Sequence, residues 1–259
     1  MSGNGLSMNS ENKLDYLEPS WSSENKGVEA FFTLKNRNTE ESEGDIPGLN
    51  LGLNTNDDVN RVFANRALMY EQFNLDSRWV AWGKQVHSTR VRIITAGGLH
   101  PDTDGMVTAI PGLALVIQVA DCAAILMADP DNRVIGAVHA GWRGAAGGIV
   151  GNGIDKMKIL GADPDNIKVY VSPCISQKHF EVGPEVSDQF PDHVVDNVTY
   201  SKPHIDLRSY VREELLQGGI RSEAIEIDPH CTFEEEDKLY SYRREQERSG
   251  RMLGMVVMR

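Results

Sequence analysis

Four short apolar runs, at residues 106–110, 113–119, 123–128 and 134–139, follow one another with only turns between them. Pro111-Gly112 and Pro130-Asp131-Asn132 supply turn chemistry at two of the breaks. Parallel neighbours need a crossover of about a dozen residues or more, whereas antiparallel neighbours need only a short turn. The spacing therefore predicts antiparallel pairing. With helices elsewhere in the chain, it points to an α+β fold, a mixed, largely antiparallel sheet flanked by helices, and not to repeated βαβ units.

The segments around this block fill in that class. Residues 30–34, 79–82, 86–95, 167–171, 224–227, 239–242 and 255–258 read as further strands. Residues 57–73 read as a helix with capping chemistry at 55–58 and an apolar side of Val59, Val62, Phe63, Ala67, Tyr70 and Phe73. Residues 144–160 read as a second helix whose first turns hold Gly144, Gly147, Gly148, Gly151 and Gly153. Glycine costs up to about 1 kcal/mol in a helix interior, so a close backbone approach is expected there. A third helix runs from its cap Asp206 to Gln217. With no repeat, heptad or linker, one domain spanning 28–259 is expected after a flexible polar lead-in, 1–27.

Composition narrows the function. A net charge of -12 argues against a general binder of nucleic acid or anionic membranes, so an anionic ligand needs a local arginine cluster. No window reaches the roughly 18 apolar residues of a membrane span, and the polar start lacks a signal core. The 3 cysteines are too few and too dispersed for a disulfide scaffold. A cytoplasmic protein, monomer or homodimer, is expected.

Chemistry concentrates in residues 120–144. One apolar run leads to Asp121-Cys122, another ends on His139, and Gly-Trp-Arg-Gly follows. If the strands are neighbours, thiol and imidazole meet, and His87 is a third candidate. Two neutral imidazoles and a thiolate can bind Zn²⁺ and leave a fourth position open. A Cys122 nucleophile with His139 as base is also compatible with the spacing, and spacing alone favours separate core residues over a metal site. Arg37, placed after the first strand, and Arg143, beside the glycine-rich helix start, are candidate anion holders, with Arg243 and Arg244 behind them. Asp102 and Asp104, in Pro101-Asp102-Thr103-Asp104-Gly105, read as turn chemistry.

Several motifs occur in one order: KQVHSTRV at 84–91, PDTDGMVT at 101–108, ADC at 120–122, AVHAGWRG at 137–144, FEVG at 180–183, HCT at 230–232, SYRR at 241–244 and GR at 250–251. Together they resemble the YfiH-like family, known as purine nucleoside phosphorylases and earlier as multicopper polyphenol oxidases or laccases. The resemblance implies an α+β fold similar to a cysteine-hydrolase toxin domain. It also implies metal ligation by His87, Cys122 and His139, with zinc as cofactor and copper as a substitute. Phosphorolysis of adenosine, inosine or methylthioadenosine, and deamination of adenosine, are the implied activities. Gln85, in the Q-x-H motif, and Asn50, in a segment resembling the family's LNLG, join Arg37, Arg143 and Arg243 as candidate phosphate or substrate contacts, and Asp121 joins Cys122 and His139 as a candidate proton carrier. The chain departs from the family in residues 33–40, TLKNRNTE, where two glycines are missing. Competing readings are a thiol hydrolase that edits peptidoglycan precursors, a copper oxidase, and a non-enzymatic interaction protein. A laccase requires a mononuclear site plus a trinuclear cluster, a large demand on 7 histidines with no His-x-His pair.

Overall fold

Strands that are apolar at nearly every position need cover on both faces, and the architecture supplies it. The computed structural model describes residues 14–24, 27–36 and 46–259. In chain order the strands are β1 (Tyr16–Leu17), β2 (Val28–Thr33), β3 (Val80–Gly83), β4 (Val91–Ile93), β5 (Gly98–His100), β6 (Gly105–Thr108), β7 (Ala114–Val119), β8 (Ala123–Asp129), β9 (Val134–Ala140), β10 (Lys168–Val171), β11 (Val195–Asp196), β12 (His204–Ile205), β13 (Ile225–Ile227) and β14 (Met252–Met258). The helices are α1 (Ser20–Glu24), α2 (Val59–Gln72), α3 (Trp142–Ala146), α4 (Ile149–Ile159), α5 (Pro184–Ser187), α6 (Leu207–Gln217) and α7 (Tyr242–Glu245).

Two six-stranded mixed sheets carry the fold, ordered β1-β2-β14-β7-β3-β5 and β13-β10-β8-β9-β6-β4. One apolar cluster joins Phe32, Leu115 and Ile117 of the first sheet to Ala124, Leu126 and Ala137 of the second, so the sheets pack face to face. The alternate residues of β8, Ile125 and Met127, point the other way and pack with Ile154 and Met157 of α4 and Val211 of α6. On the outer face of the first sheet, Val116, Leu253 and Met255 meet Met69 of α2. The result is four layers, helix, sheet, sheet, helix. Burying each such side chain stabilises the fold by about 1.5–3 kcal/mol.

The antiparallel expectation holds for β6 with β9, β8 with β9 and β8 with β10. It fails for β7, which pairs with neither β6 nor β8, because the chain crosses between the two sheets on either side of it. The parallel pairs, β3 with β5 and β7, β4 with β6, and β10 with β13, make the largely antiparallel sheets mixed, as expected.

Other expectations need correction. Residues 14–24 do not belong to a flexible lead-in, since they form β1 and α1 and bury Leu14 and Trp21. Residues 86–90 are a loop, and only Val91–Ile93 pairs as a strand. Leu239 and Tyr240 are buried but lie outside any strand, and α7 follows them. The expected helix at 144–160 is two helices, broken where Gly148 takes φ 83°, a left-handed angle that glycine adopts without strain.

Helix α2 begins where the sequence places it. Asp58 is its cap, accepting N–H bonds from Asn60 at 2.7 Å and Arg61 at 3.1 Å. Its buried stripe differs, however: Val62, Asn65, Arg66 and Met69 face inward, while Val59 and Phe63 are 52% and 54% exposed. The helix is turned to bury a polar pair at the expense of a phenylalanine. Among the described residues no helix is long and apolar enough to cross a membrane.

Candidate metal centre

Asp104 organises the site. It immediately precedes β6, and the antiparallel register Gly105 with Val138 sets it opposite His139 at the end of β9. Its carbonyl accepts the His139 backbone N–H at 2.7 Å, and its carboxylate oxygen Oδ1 lies 3.0 Å from His139 Nδ1. A carboxylate in this contact only accepts, so Nδ1 carries a proton, and Nε2 is the nitrogen that would offer its lone pair to a metal. The same carboxylate accepts backbone N–H bonds from Val86 at 3.2 Å, His87 at 2.9 Å and Ser88 at 2.8 Å, and the Ser88 hydroxyl at 2.7 Å. Burial alone raises a carboxyl pKa, but these bonds from His139 and Ser88 outweigh it and hold Asp104 ionised well below the usual range.

That cradle fixes the 86–88 loop in a tight turn in which His87 has φ 58°. A left-handed angle costs a non-glycine residue about 1–2 kcal/mol, offset here by the three N–H bonds. Cys122 enters from the passage between the sheets, next to Asp121, which has φ 86°. The ligand atoms of His87, Cys122 and His139 all lie within 4.8 Å of one another, and the two imidazole rings meet edge-on with centroids 4.8 Å apart. Gly141 closes the back of the triangle. A Cβ there would lie 3.0 Å from both Cys122 Sγ and His87 Cδ2, which accounts for a glycine after His139-Ala140.

Burial pushes the Cys122 thiol up, yet the His139 charge and hydrogen bonds from His139 and His87 override it and pull the thiol down to about 6. Burial pushes His139 down, and the Cys122 thiolate and Asp104 reverse this to about 9. Without a metal the pair is a thiolate and an imidazolium at neutral pH. The donor set is suited to a borderline-soft divalent ion, and Asp104 is the kind of outer carboxylate that orients a ligating histidine.

The triangle lies in a cavity of about 900 Å³. Leu53, Trp82, Leu99, Val119, Phe180 and Tyr242 give it apolar walls, and Gln85, Gln118, Asp121, Arg66, Arg243 and Arg251 give it polar ones. Gln85 also splints the first sheet, since its side chain exchanges two 2.8 Å bonds with the Gln118 backbone. Asp121 accepts the Thr232 hydroxyl at 2.7 Å and the Arg243 N–H at 2.6 Å, one on each oxygen. The Arg243 guanidinium donates to the carbonyls of His179 and Glu181 at the rim.

Four expected contacts fall elsewhere or cannot be placed. Asn50 is fully buried and does not line this cavity; it bonds Thr55 and Asp57 and accepts N–H bonds from Gly52 and Arg251, so it shapes the adjoining loop. Arg143 is exposed, does not line the cavity, and stacks on Trp142 with 4.2 Å to the ring centroid. The glycines around it serve packing: a Cβ at Gly147 would collide with Thr89, and one at Gly153 would lie 2.9 Å from Val138. Arg244 is tied to the carbonyls of Thr232, Phe233 and Leu239. Arg37 lies outside the described residues. Conversely, the sequence reading missed Arg66, took Asp104 for turn chemistry, and gave Arg251 no role beyond its place in the GR motif. Pairing residues 106–110 with 134–139 in register would have set Asp104 against His139.

Comparison with known proteins gives the same fold. The chain is 27% identical to the YfiH protein of Bacillus licheniformis, with a TM-score of 0.85 covering 93% of this chain and 94% of that one. The corresponding figures for the Neisseria meningitidis protein NMB0706 are 31%, 0.81, 94% and 98%. A purine nucleoside phosphorylase of Corynebacterium glutamicum is 35% identical over 251 residues, 94% of this chain and 98% of the relative. The adenosine deaminase RL5, from an unknown prokaryotic organism, is 32% identical over 243 residues, 87% of this chain and 92% of the relative. The family model described as multi-copper polyphenol oxidoreductase laccase matches residues 29–259. Fold, motif order and relatives agree: the chain belongs to this laccase-like YfiH family.

Proposed function

We propose that the protein is a zinc-dependent enzyme of purine nucleosides, phosphorolysing adenosine, inosine or methylthioadenosine and deaminating adenosine. The observation that carries this reading is the His87, Cys122, His139 triangle opening into a cavity with apolar walls. The names of the relatives, purine nucleoside phosphorylase and adenosine deaminase, support the substrate class.

His87, Cys122 and His139 would hold the ion, and Asp104 keeps His139 in the tautomer that offers Nε2. A bound zinc ion supplies Lewis acidity that activates water and polarises substrate oxygens near neutral pH. Phe180, Leu99 and Tyr242 offer flat or aliphatic faces for a purine, and the walls exclude water from its edges. Gln118 lines the same cavity. Asp121 faces the cavity with both oxygens engaged by the protein, which favours a positioning role over proton transfer. Among the described residues this triangle is the single His, Cys, Asp or Glu group suited to a metal, which supports a mononuclear zinc reading over multicopper chemistry.

Incubation with adenosine tests the reading. With phosphate the products are adenine and ribose 1-phosphate; without it, inosine. If protein carrying one zinc per chain forms neither, the proposal fails.

One observation favours a second reading. Cys122, His139 and Asp104 also form a nucleophile, base and orienting carboxylate in series. A thiol hydrolase acting on peptidoglycan precursors would stay active after complete metal removal and would tolerate His87→Ala, whereas the zinc enzyme would not.

A further inference from the structure

A buried arginine without a carboxylate partner is costly, because its charge loses hydration and gains nothing ionic in return. Among the other arginines, Arg61 pairs with Asp57 at 3.1 Å and Arg259 with Glu29 at 2.7 Å, while Arg208 and Arg243 direct their guanidinium groups to backbone carbonyls. Arg66 is 8% exposed and Arg251 is half-buried, and both line the cavity of the metal triangle. Neither has an acidic partner within ion-pair distance among the described residues.

Both are held against the same short segment. Arg66 Nε donates to the Leu51 carbonyl at 2.9 Å, and its guanidinium lies flat on Trp82 with 3.6 Å to the ring centroid. Arg251 packs on Gly52, where any Cβ would collide with its Cγ, and its backbone N–H donates to Asn50 Oδ1 at 2.9 Å. Its Nη1 is spent on the carbonyls of Ser249 and Gly250 at 2.8 and 2.9 Å. The two Nη groups of Arg66, and Nε and Nη2 of Arg251, have no acceptor among the described residues, and none is an enclosed, unsatisfied atom. Their open side is the cavity. Helix α2 is rotated to bury Asn65 and Arg66 while Phe63 stays exposed, so the placement of this cation is built into the fold. The acidic groups facing the cavity are already engaged, Asp121 by Thr232 and Arg243, and Glu247 by the Tyr242 hydroxyl at 3.1 Å.

We infer that Arg66 and Arg251 form the seat of a tetrahedral oxyanion, inorganic phosphate, on the Leu51–Gly52 side of the cavity. The assignment of phosphate as co-substrate rests on the phosphorolysis reading above; the anion seat itself rests on the two guanidinium groups. Planar forks of this kind bind phosphate oxygens in pairs. In the reaction a phosphate oxygen bonds to the ribose C1′ as the bond from C1′ to the base nitrogen breaks. The bonding pair leaves with the base, and the phosphate proton passes to it, giving ribose 1-phosphate and free purine.

The test uses zinc-loaded full-length protein, wild type, Arg66→Lys and Arg251→Gln, each checked for zinc content and melting temperature. Titration into inorganic phosphate is followed by ³¹P line broadening, and phosphorolysis is measured over a phosphate series. The expected outcome is phosphate binding by wild type that weakens at least tenfold in each variant. KM for phosphate should rise by the same factor, and KM for the nucleoside by less than threefold. If wild type binds phosphate through these arginines but releases no free purine, the seat stands and the phosphorolysis reading falls. If wild type does not bind phosphate, or both folded variants bind it as wild type does, the inference is overturned.

Discussion

The Asp104 carboxylate holds His139 by its Nδ1 proton at 3.0 Å and, through the N–H groups of residues 86–88, holds His87 as well. One acidic side chain therefore orients two of the three candidate ligands, one from the loop after β3 and one from β9. Removal of such an outer partner from a metal site weakens metal binding by about 10–100-fold. Asp104→Asn is accordingly expected to lose at least tenfold in zinc affinity, measured by competition with a chelator, while the fold is kept. Unchanged affinity would remove Asp104 from the site.

Gly141 sits where any side chain would press on Cys122 Sγ and His87 Cδ2 at 3.0 Å. Gly141→Ala should thus lower zinc occupancy and nucleoside turnover together, each by about tenfold, the scale of a displaced ligand shell. Circular dichroism should stay near wild type, and full zinc occupancy in the variant would contradict the packing argument.

In the metal-free protein the Cys122 thiol titrates at about 6. The lowered pKa means that thiolate is present above that pH and is lost as pH falls through it. Iodoacetamide alkylation of apo protein should rise through pH 6, whereas an ordinary thiol titrates near 8.5. His139→Ala removes the cation and should move the profile upward by more than one unit. Zinc should suppress alkylation.

The three ligands come from the loop after β3, from the passage between β7 and β8, and from the end of β9. A ligand that binds only the folded chain adds about 2.7 kcal/mol at a hundredfold excess over its Kd. Chelation should lower the melting temperature by several degrees, and added zinc should restore it. A melting curve indifferent to chelator would mean that the triangle holds no ion.

Much of this was legible in the sequence, for identifiable reasons. The runs forming β8 and β9 and the Asp58 cap are local signals, and local signals survive into the fold. Cys122 and His139 could be brought together because β8 and β9 are adjacent antiparallel strands. The misreadings share one cause, tertiary contacts that override local pattern. His87 looked like part of a strand because nothing nearby in sequence reveals that Asp104 curls its backbone into a left-handed turn. Phe63 looked inward-facing on α2 because the pull on Arg66, from Trp82 and the Leu51 carbonyl, comes from distant parts of the chain. Asp104 looked like turn chemistry because its partner lies 35 residues away.

Cys122 stands where the chain passes from one sheet into the other, with Val119 ending β7 and Ala123 beginning β8. Strand faces alternate with every residue, so one inserted residue in that passage would turn Cys122 away from the histidines or exchange the two buried faces of β8. The Pro130-Asp131-Asn132 turn between β8 and β9 carries no such constraint. An insertion at a turn far from the triangle would thus leave the ligands in place, while the inter-sheet passage is a fixed-length spacer, as intolerant of an added residue as a gear is of an added tooth.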